Sequence, residues 1–148
     1  MLSIAGDHCN NSIACATVSH LTLSGALHGY ATHKLFRNLR DDLPRVQVTF
    51  MHVAIWCIGE FGDRLLEACS GGSGDMHYVY EALPLSEILG LLETILKSHL
   101  ATSLTKSYVL TALVKLSSRL QQGHLRCKDL IRYSHSDHFV LMFLSNAT

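Results

Sequence analysis

The chain has 148 residues, 48% of them hydrophobic and only 16% charged, with twelve basic side chains against twelve acidic ones. That length suits one domain, and the composition excludes a disordered chain, which needs low hydrophobicity and high net charge. The balanced charge leaves no basic footprint of the kind phosphate backbones or anionic membranes require, so nucleic acid is not an expected partner.

Ten histidines are present, enough to turn the net charge positive in mildly acidic surroundings. Five cysteines, Cys9, Cys15, Cys57, Cys69 and Cys127, form an odd and widely spaced set, which fits reduced cytosolic thiols better than a disulfide framework. The first residues lack a basic region and carry Asp7, so a secretory signal is not expected, and no apolar run approaches the ~18 residues of a membrane span. The sequons at Asn10 and Asn146 therefore read as chance.

Met1 to Ser24 shows no sustained period, with at most a ragged helix over Ile13 to Leu23. From Gly25 the steps Leu27, Ala31, Leu35 and Leu39 predict a helix whose other sides carry His33, Lys34, Arg37 and Arg40. Asp41, Asp42 and Pro44 end it, because proline biases its predecessor toward extended backbone.

Val46 to Leu66 is the most regular stretch. Phe50, Val53, Ala54, Cys57, Ile58, Phe61 and Leu65 recur at helical steps, so this is a core helix forming a hairpin with the one before it. Gly59 and Gly62 would each cost about 1 kcal/mol against alanine in a helix, and close approach of a neighbouring helix is a reward that would justify them. Trp56 lies beside the stripe as a packing anchor or a partner contact. Glu60 and Asp63 are placed to pair with Arg64 or with a neighbouring helix.

The Gly/Ser-rich stretch 67–83 reads as an exposed, poorly packing linker. Leu85, Ile88, Leu89, Leu92, Ile95 and Leu96 then predict a strongly apolar helix over Leu85 to Ser98, behind Pro84. Thr102 or Ser103 caps the next, whose stripe is Leu104, Tyr108, Ala112, Leu116 and Leu120, widened by Val109 and Leu113, and Gly123 lies past its end. Leu125 to Tyr133 begins a further helix that Ser134 to His138 is expected to interrupt.

Two helical hairpins in series suggest a repeat. With the linker shortened to an ordinary turn, their spacing is about 47 residues, typical of HEAT and armadillo units. The expected fold is all-α, an α-solenoid of antiparallel helix hairpins cut from a longer superhelix. It divides into an irregular segment 1–24, a helical-repeat segment 25–134 and a divergent tail 135–148.

Catalytic groups are sparse. His52 and Cys57 point to different sides of one helix, so they make a poor base and nucleophile pair, and Cys57 belongs to the apolar stripe. Cys127, His135, Asp137 and His138, like His8, Cys9 and Cys15, lack paired metal-ligand spacings. Gly71 to Asp75 lacks the Lys-Ser/Thr of a phosphate loop. No catalytic residue, cofactor or metal is expected.

Three stretches carry a resemblance: VAIWCIGEFGDRLL from Val53, HGYATHKLFRNL from His28, and ATSLTKSYVLTALVKLSSRL from Ala101. In that order they resemble the trunk of the gamma-adaptins, large subunits of a clathrin adaptor complex. The resemblance implies an α-solenoid, no enzymatic activity, and assembly with a beta-type large subunit, a medium subunit and a small sigma subunit. Clathrin, an Arf-family GTPase and Golgi or endosomal membranes would be reached through the complete complex from the cytoplasmic side. It matches Trp56, Cys57, Gly59, Glu60, Gly62, Asp63, Tyr108 and Leu116 as helix-packing positions and assigns none of them a ligand. The 67–83 stretch and the chain beyond Gln121 depart from the family pattern. Alternatives are another HEAT-type scaffold or coat large-subunit fragment, and more remotely a small thiol or metal enzyme.

Overall fold

Helical periodicity is realised in five helices, which a computed structural model of the chain describes together with their connections over residues 16–20, 23, 25–73, 76–99, 101–120 and 123–145. A helical turn occupies 16–20; the rest of the ragged helix expected between Ile13 and Leu23 lies largely outside the described residues. Helix α1 spans His28–Asp41, α2 Val48–Phe61, α3 Leu85–Lys97, α4 Ser103–Arg119 and α5 His124–Ser145.

Helix α1 buries Thr32, His33, Phe36 and Leu39. The stripe expected from Leu27, Ala31, Leu35 and Leu39 is therefore rotated: Leu27 is 48% exposed, and His33, expected to face elsewhere, is fully buried. Burying a polar ring requires partners. His33 has them at Nε2, which lies 3.2 Å from the carbonyl of Arg64 and 3.1 Å from that of Glu67, and its ring stacks on Tyr80, while its buried Nδ1 has no hydrogen-bond partner among the described residues.

Pro44, in a short 3-10 turn Leu43–Arg45, separates α1 from α2. Helix α2 buries the expected Phe50, Val53, Ala54, Cys57 and Ile58, adds Ile55, and tightens into the 3-10 turn Gly62–Leu66, which buries Leu65.

Residues 67–83 depart from the expectation of a poorly packing linker. Cys69–Ser73 (β1) and Met76–Tyr80 (β2) pair antiparallel, with Cys69 opposite Tyr80 and Gly71 opposite Tyr78. Glycine leaves room at 71 for the facing ring: a Cβ there would stand 2.5 Å from the Tyr78 hydroxyl, so Tyr78 would have to shift. Tyr78 and Tyr80 then pack on Tyr30 of α1, with ring centroids 4.4 and 6.0 Å away. Small residues on one strand thus make room for aromatic rings on the other, and the rings fasten the hairpin to α1.

Helix α3 buries Ile88, Leu89, Leu91, Leu92, Ile95 and Leu96. Helix α4 is capped by Thr102, whose Oγ1 accepts from the Thr105 amide at 3.2 Å. Its stripe is also rotated at the start: Leu104 is 58% exposed and Thr105 is buried in its place, before Val109, Ala112, Leu113 and Leu116 resume the expected face. Helix α5 runs unbroken through Ser134–His138, where an interruption was expected.

Helix α2 packs on α1 and most extensively on α4, while α5 packs on both α3 and α4. The alternate layer is tied by ion pairs, Arg40 with Glu87 at 2.6 Å between α1 and α3, and Arg126 with Glu93 at 2.7 Å between α5 and α3. One core runs through Phe36, Ile58, Leu92, Leu113 and Cys127. This is the two-layer stacking of an α-solenoid segment. Among the described residues, no helix is long and apolar enough to cross a membrane.

Candidate functional site

Of the eight positions the resemblance singles out, Trp56, Gly59, Glu60, Gly62, Tyr108 and Leu116 meet at the seam between α2, the Gly62–Leu66 turn and α4. Gly59 and Gly62 face α4 directly. A Cβ on Gly59 would stand 2.9 Å from the Ala112 Cα, and one on Gly62 would stand 2.6 Å from Leu116 Cδ2. The two glycines and Ala112 bring the helices together closely enough for backbone to touch side chain, the contact that offsets the conformational cost of glycine.

Charge closes one side of the seam. The Glu60 carboxylate accepts from Lys115 Nζ and, at 3.1 Å, from Arg119. The Lys115 hydrogen bond, aided by Arg119, holds that carboxyl below the usual carboxylate range. Lys115 and Arg119 stand one helical turn apart, so both cations reach the same acid. Asp63 lies outside the cluster, half-exposed and 3.7 Å from Arg64.

Trp56 and Tyr108 flank the seam and line a depression of about 220 Å³ with Gly59, Leu104, Ser107 and Thr111. Trp56 packs against the edge of the core and meets Phe61 edge to face at 5.9 Å. His52, one turn before Trp56, stacks on Tyr108 with centroids 4.6 Å apart and is 2.9 Å from Thr105 Oγ1.

Cys57 is buried within α2. Burial, and then the Glu60 carboxylate, pushes its thiol up to about 12, so it holds its proton at neutral pH. His52 contacts Thr105 and Tyr108 rather than Cys57, and the two do not form a catalytic pair. Cys127 is buried on α5, and its thiol too is raised by burial. The side chains of His135, Asp137 and His138, and the residues His8, Cys9 and Cys15, lie outside the description. Gly71–Ser73 belong to β1, and Gly74 and Asp75 lie outside the described residues. Among the described residues, no three His, Cys, Asp or Glu side chains cluster to hold a metal.

The geometry is that of a packed joint between helical hairpins. Of its partner residues on α4, Ala112 was read only as part of the apolar stripe, and Lys115 and Arg119 were not singled out, although the four-residue spacing of the two cations signals a shared acid.

No family model matches the sequence. Over 88% of its length, however, the chain is 37% identical to the human AP-1 complex subunit gamma-like 2, across 135 residues. It is 34% identical over 131 residues to AP-1 complex subunit gamma-2 of Arabidopsis thaliana, and 30% over 132 residues to AP-1 complex subunit gamma of Dictyostelium discoideum. This chain is a gamma-adaptin-like segment. It spans 16% of the human relative's length and 15% and 14% of the other two. The similarity extends beyond the three motif stretches, since those run only from His28 to Leu120. In the gamma-adaptin-like segment, the α2–α4 joint is where two of those motifs, from Val53 and from Ala101, meet.

Proposed function

We propose that this chain acts without catalysis, as a piece of an adaptor large subunit that works by protein-protein assembly in vesicle-mediated transport. The observation that carries this reading is its similarity, over 88% of its length, to AP-1 complex gamma subunits from human, plant and amoeba. The α2–α4 joint supports it, because buried thiols, a neutralised carboxylate and interlocked glycines serve packing rather than turnover. In this reading residues 25–134 are an adaptin-trunk-like unit, flanked by segments 1–24 and 135–148.

The partners follow from the same likeness: a beta-type large subunit, a medium subunit and a small sigma subunit. Clathrin, an Arf-family GTPase and the cytoplasmic face of Golgi or endosomal membranes would be engaged through the whole complex. The test is co-expression of the chain with those three subunits, followed by affinity capture and size-exclusion chromatography. Stoichiometric co-elution is expected. Elution of the chain alone, while an intact gamma subunit assembles in the same experiment, would withdraw the adaptor role for this chain.

A further inference from the structure

We propose that His52 makes the joint between the two helical hairpins acid-sensitive, tight while its imidazole is neutral and loosened when it takes a proton. The ring sits between α2 and the first turn of α4, its Nε2 2.9 Å from Thr105 Oγ1 and its face 4.6 Å from that of Tyr108 at an interplanar angle of 13°. Thr105 Oγ1 lies 3.0 Å from Thr102 Oγ1, which accepts from the Thr105 amide.

These distances permit a chain of hydrogen bonds whose sense follows the ring's protonation. The Thr105 amide donates to Thr102 Oγ1. With the neutral ring's proton on Nδ1, Nε2 accepts from the Thr105 hydroxyl, which accepts from that of Thr102; with the proton on Nε2 the two hydroxyl bonds run the other way. A second proton leaves only the arrangement in which Nε2 donates to Thr105 Oγ1. The new positive charge also stands at the N-terminal end of α4, where the helix dipole already presents positive potential.

Neighbouring groups offer no relief. On α4, Tyr108 is the titratable group stacked on the ring, Lys106 is a further cation in the same turn, and Lys115 and Arg119 are bound to Glu60. In the Gly62–Leu66 turn, Arg64 pairs with Asp63 and Glu67. On α1, Arg40 is held by Asp41 and Glu87, Lys34 by the Tyr30 hydroxyl and Arg37 by the Tyr80 ring, while His33 bonds backbone carbonyls. Burial pushes the His52 imidazole below its ordinary value, with no carboxylate among the described residues opposing that shift. The sign follows: a histidine held neutral in the fold titrates more readily when unfolded, so stability is full above the ordinary imidazole value and falls as pH drops below it.

The test uses the whole chain. The His52 ring signal is followed by NMR from pH 8 to pH 5, alongside the Tyr108 ring protons, and thermal unfolding is measured across the same range for the wild type and for His52→Gln, whose amide can still meet Thr105. We expect His52 to titrate below the ordinary imidazole value, Tyr108 shifts to share its midpoint, and the melting advantage of the wild type over H52Q to shrink as pH falls from 7.5 to 5. Titration at or above the ordinary value, or an advantage independent of pH, would overturn the proposal. Should H52Q fail to fold, the wild-type titration alone decides, since a ring outside the joint would not move Tyr108 with the same midpoint.

Discussion

The backbone of Ala112 on α4 approaches Gly59 on α2 so closely that a Cβ on the glycine would stand 2.9 Å from the Ala112 Cα and 3.1 Å from its Cβ. Neither atom belongs to a flexible side chain. Gly59→Ala must therefore push the helices apart, at a cost of about 1–3 kcal/mol for overpacking against a gain of about 1 kcal/mol in helix propensity. We expect a net loss in urea unfolding. Gly90 of α3 supplies the comparison, because nothing lies within 4 Å of its Cβ position. Gly90→Ala should stabilise by up to about 1 kcal/mol. Equal effects from the two substitutions would mean that α2 and α4 do not meet as described.

The hairpin gives a second, independent prediction. At Gly71 an added Cβ would fall 2.5 Å from the Tyr78 hydroxyl and 2.9 Å from its ring. Gly71→Val should displace Tyr78 from Tyr30 and open the strand pair without unfolding the helices. Hydrogen exchange reads this directly: the β1–β2 amides should lose protection while those of α2 and α4 keep theirs. Unchanged protection across β1 and β2 would contradict the pairing of Gly71 with Tyr78.

What the sequence made legible, and what it hid, divides along physical lines. The α2 stripe was readable because Phe50, Val53, Ala54, Cys57 and Ile58 are apolar and recur at helical steps, and hydrophobic burial needs no particular partner. Gly59 and Gly62 announced close packing but not the identity of Ala112 and Leu116, because spacing along one helix carries no register for another. His33 was misplaced and Thr105 passed over because polar residues are assigned to the surface by default. Each is buried through a partner distant in sequence, the carbonyls of Arg64 and Glu67 for one and His52 for the other. The β1–β2 hairpin was hidden by composition, since Ser70, Gly71 and Gly72 read as a linker unless Tyr78 is seen to pack at Gly71.

Glu60 predicts a pH dependence in the acid range. Its carboxyl is held low by the Lys115 hydrogen bond and by Arg119, so the stabilisation is complete above the unfolded carboxylate value, near ~4.3, and is lost as pH falls through the lower folded value. Glu60→Gln removes the charge and strands two cations beside a partly buried seam. At pH 7 it should cost on the order of 1 kcal/mol, the side chain being 22% exposed. The wild type and the variant should converge in stability as pH falls below the unfolded carboxylate value and through the lower folded one. A gap unchanged across that fall would assign the effect to shape rather than charge. This window lies below the one expected for His52, so the two groups are separable in a single pH series.

Cys57 and Cys69 should differ sharply toward an alkylating reagent. The Cys57 thiol is pushed up to about 12 and is buried against the core, whereas Cys69 is partly exposed on β1. At pH 8 the thiolate fraction of Cys57 is about 10⁻⁴, against about a quarter for an unperturbed cysteine, and only thiolate attacks. Even that fraction is shielded, so alkylation of Cys57 should proceed through unfolding and accelerate with urea in step with the loss of structure. Cys127, buried on α5, should follow the same course, and mass spectrometry of the labelled peptides separates the sites. Rapid labelling of Cys57 in the absence of denaturant would remove it from the α2 core and reopen the thiol-enzyme alternative. Slow labelling that tracks global unfolding would fix it as part of the joint that Gly59 and Ala112 close.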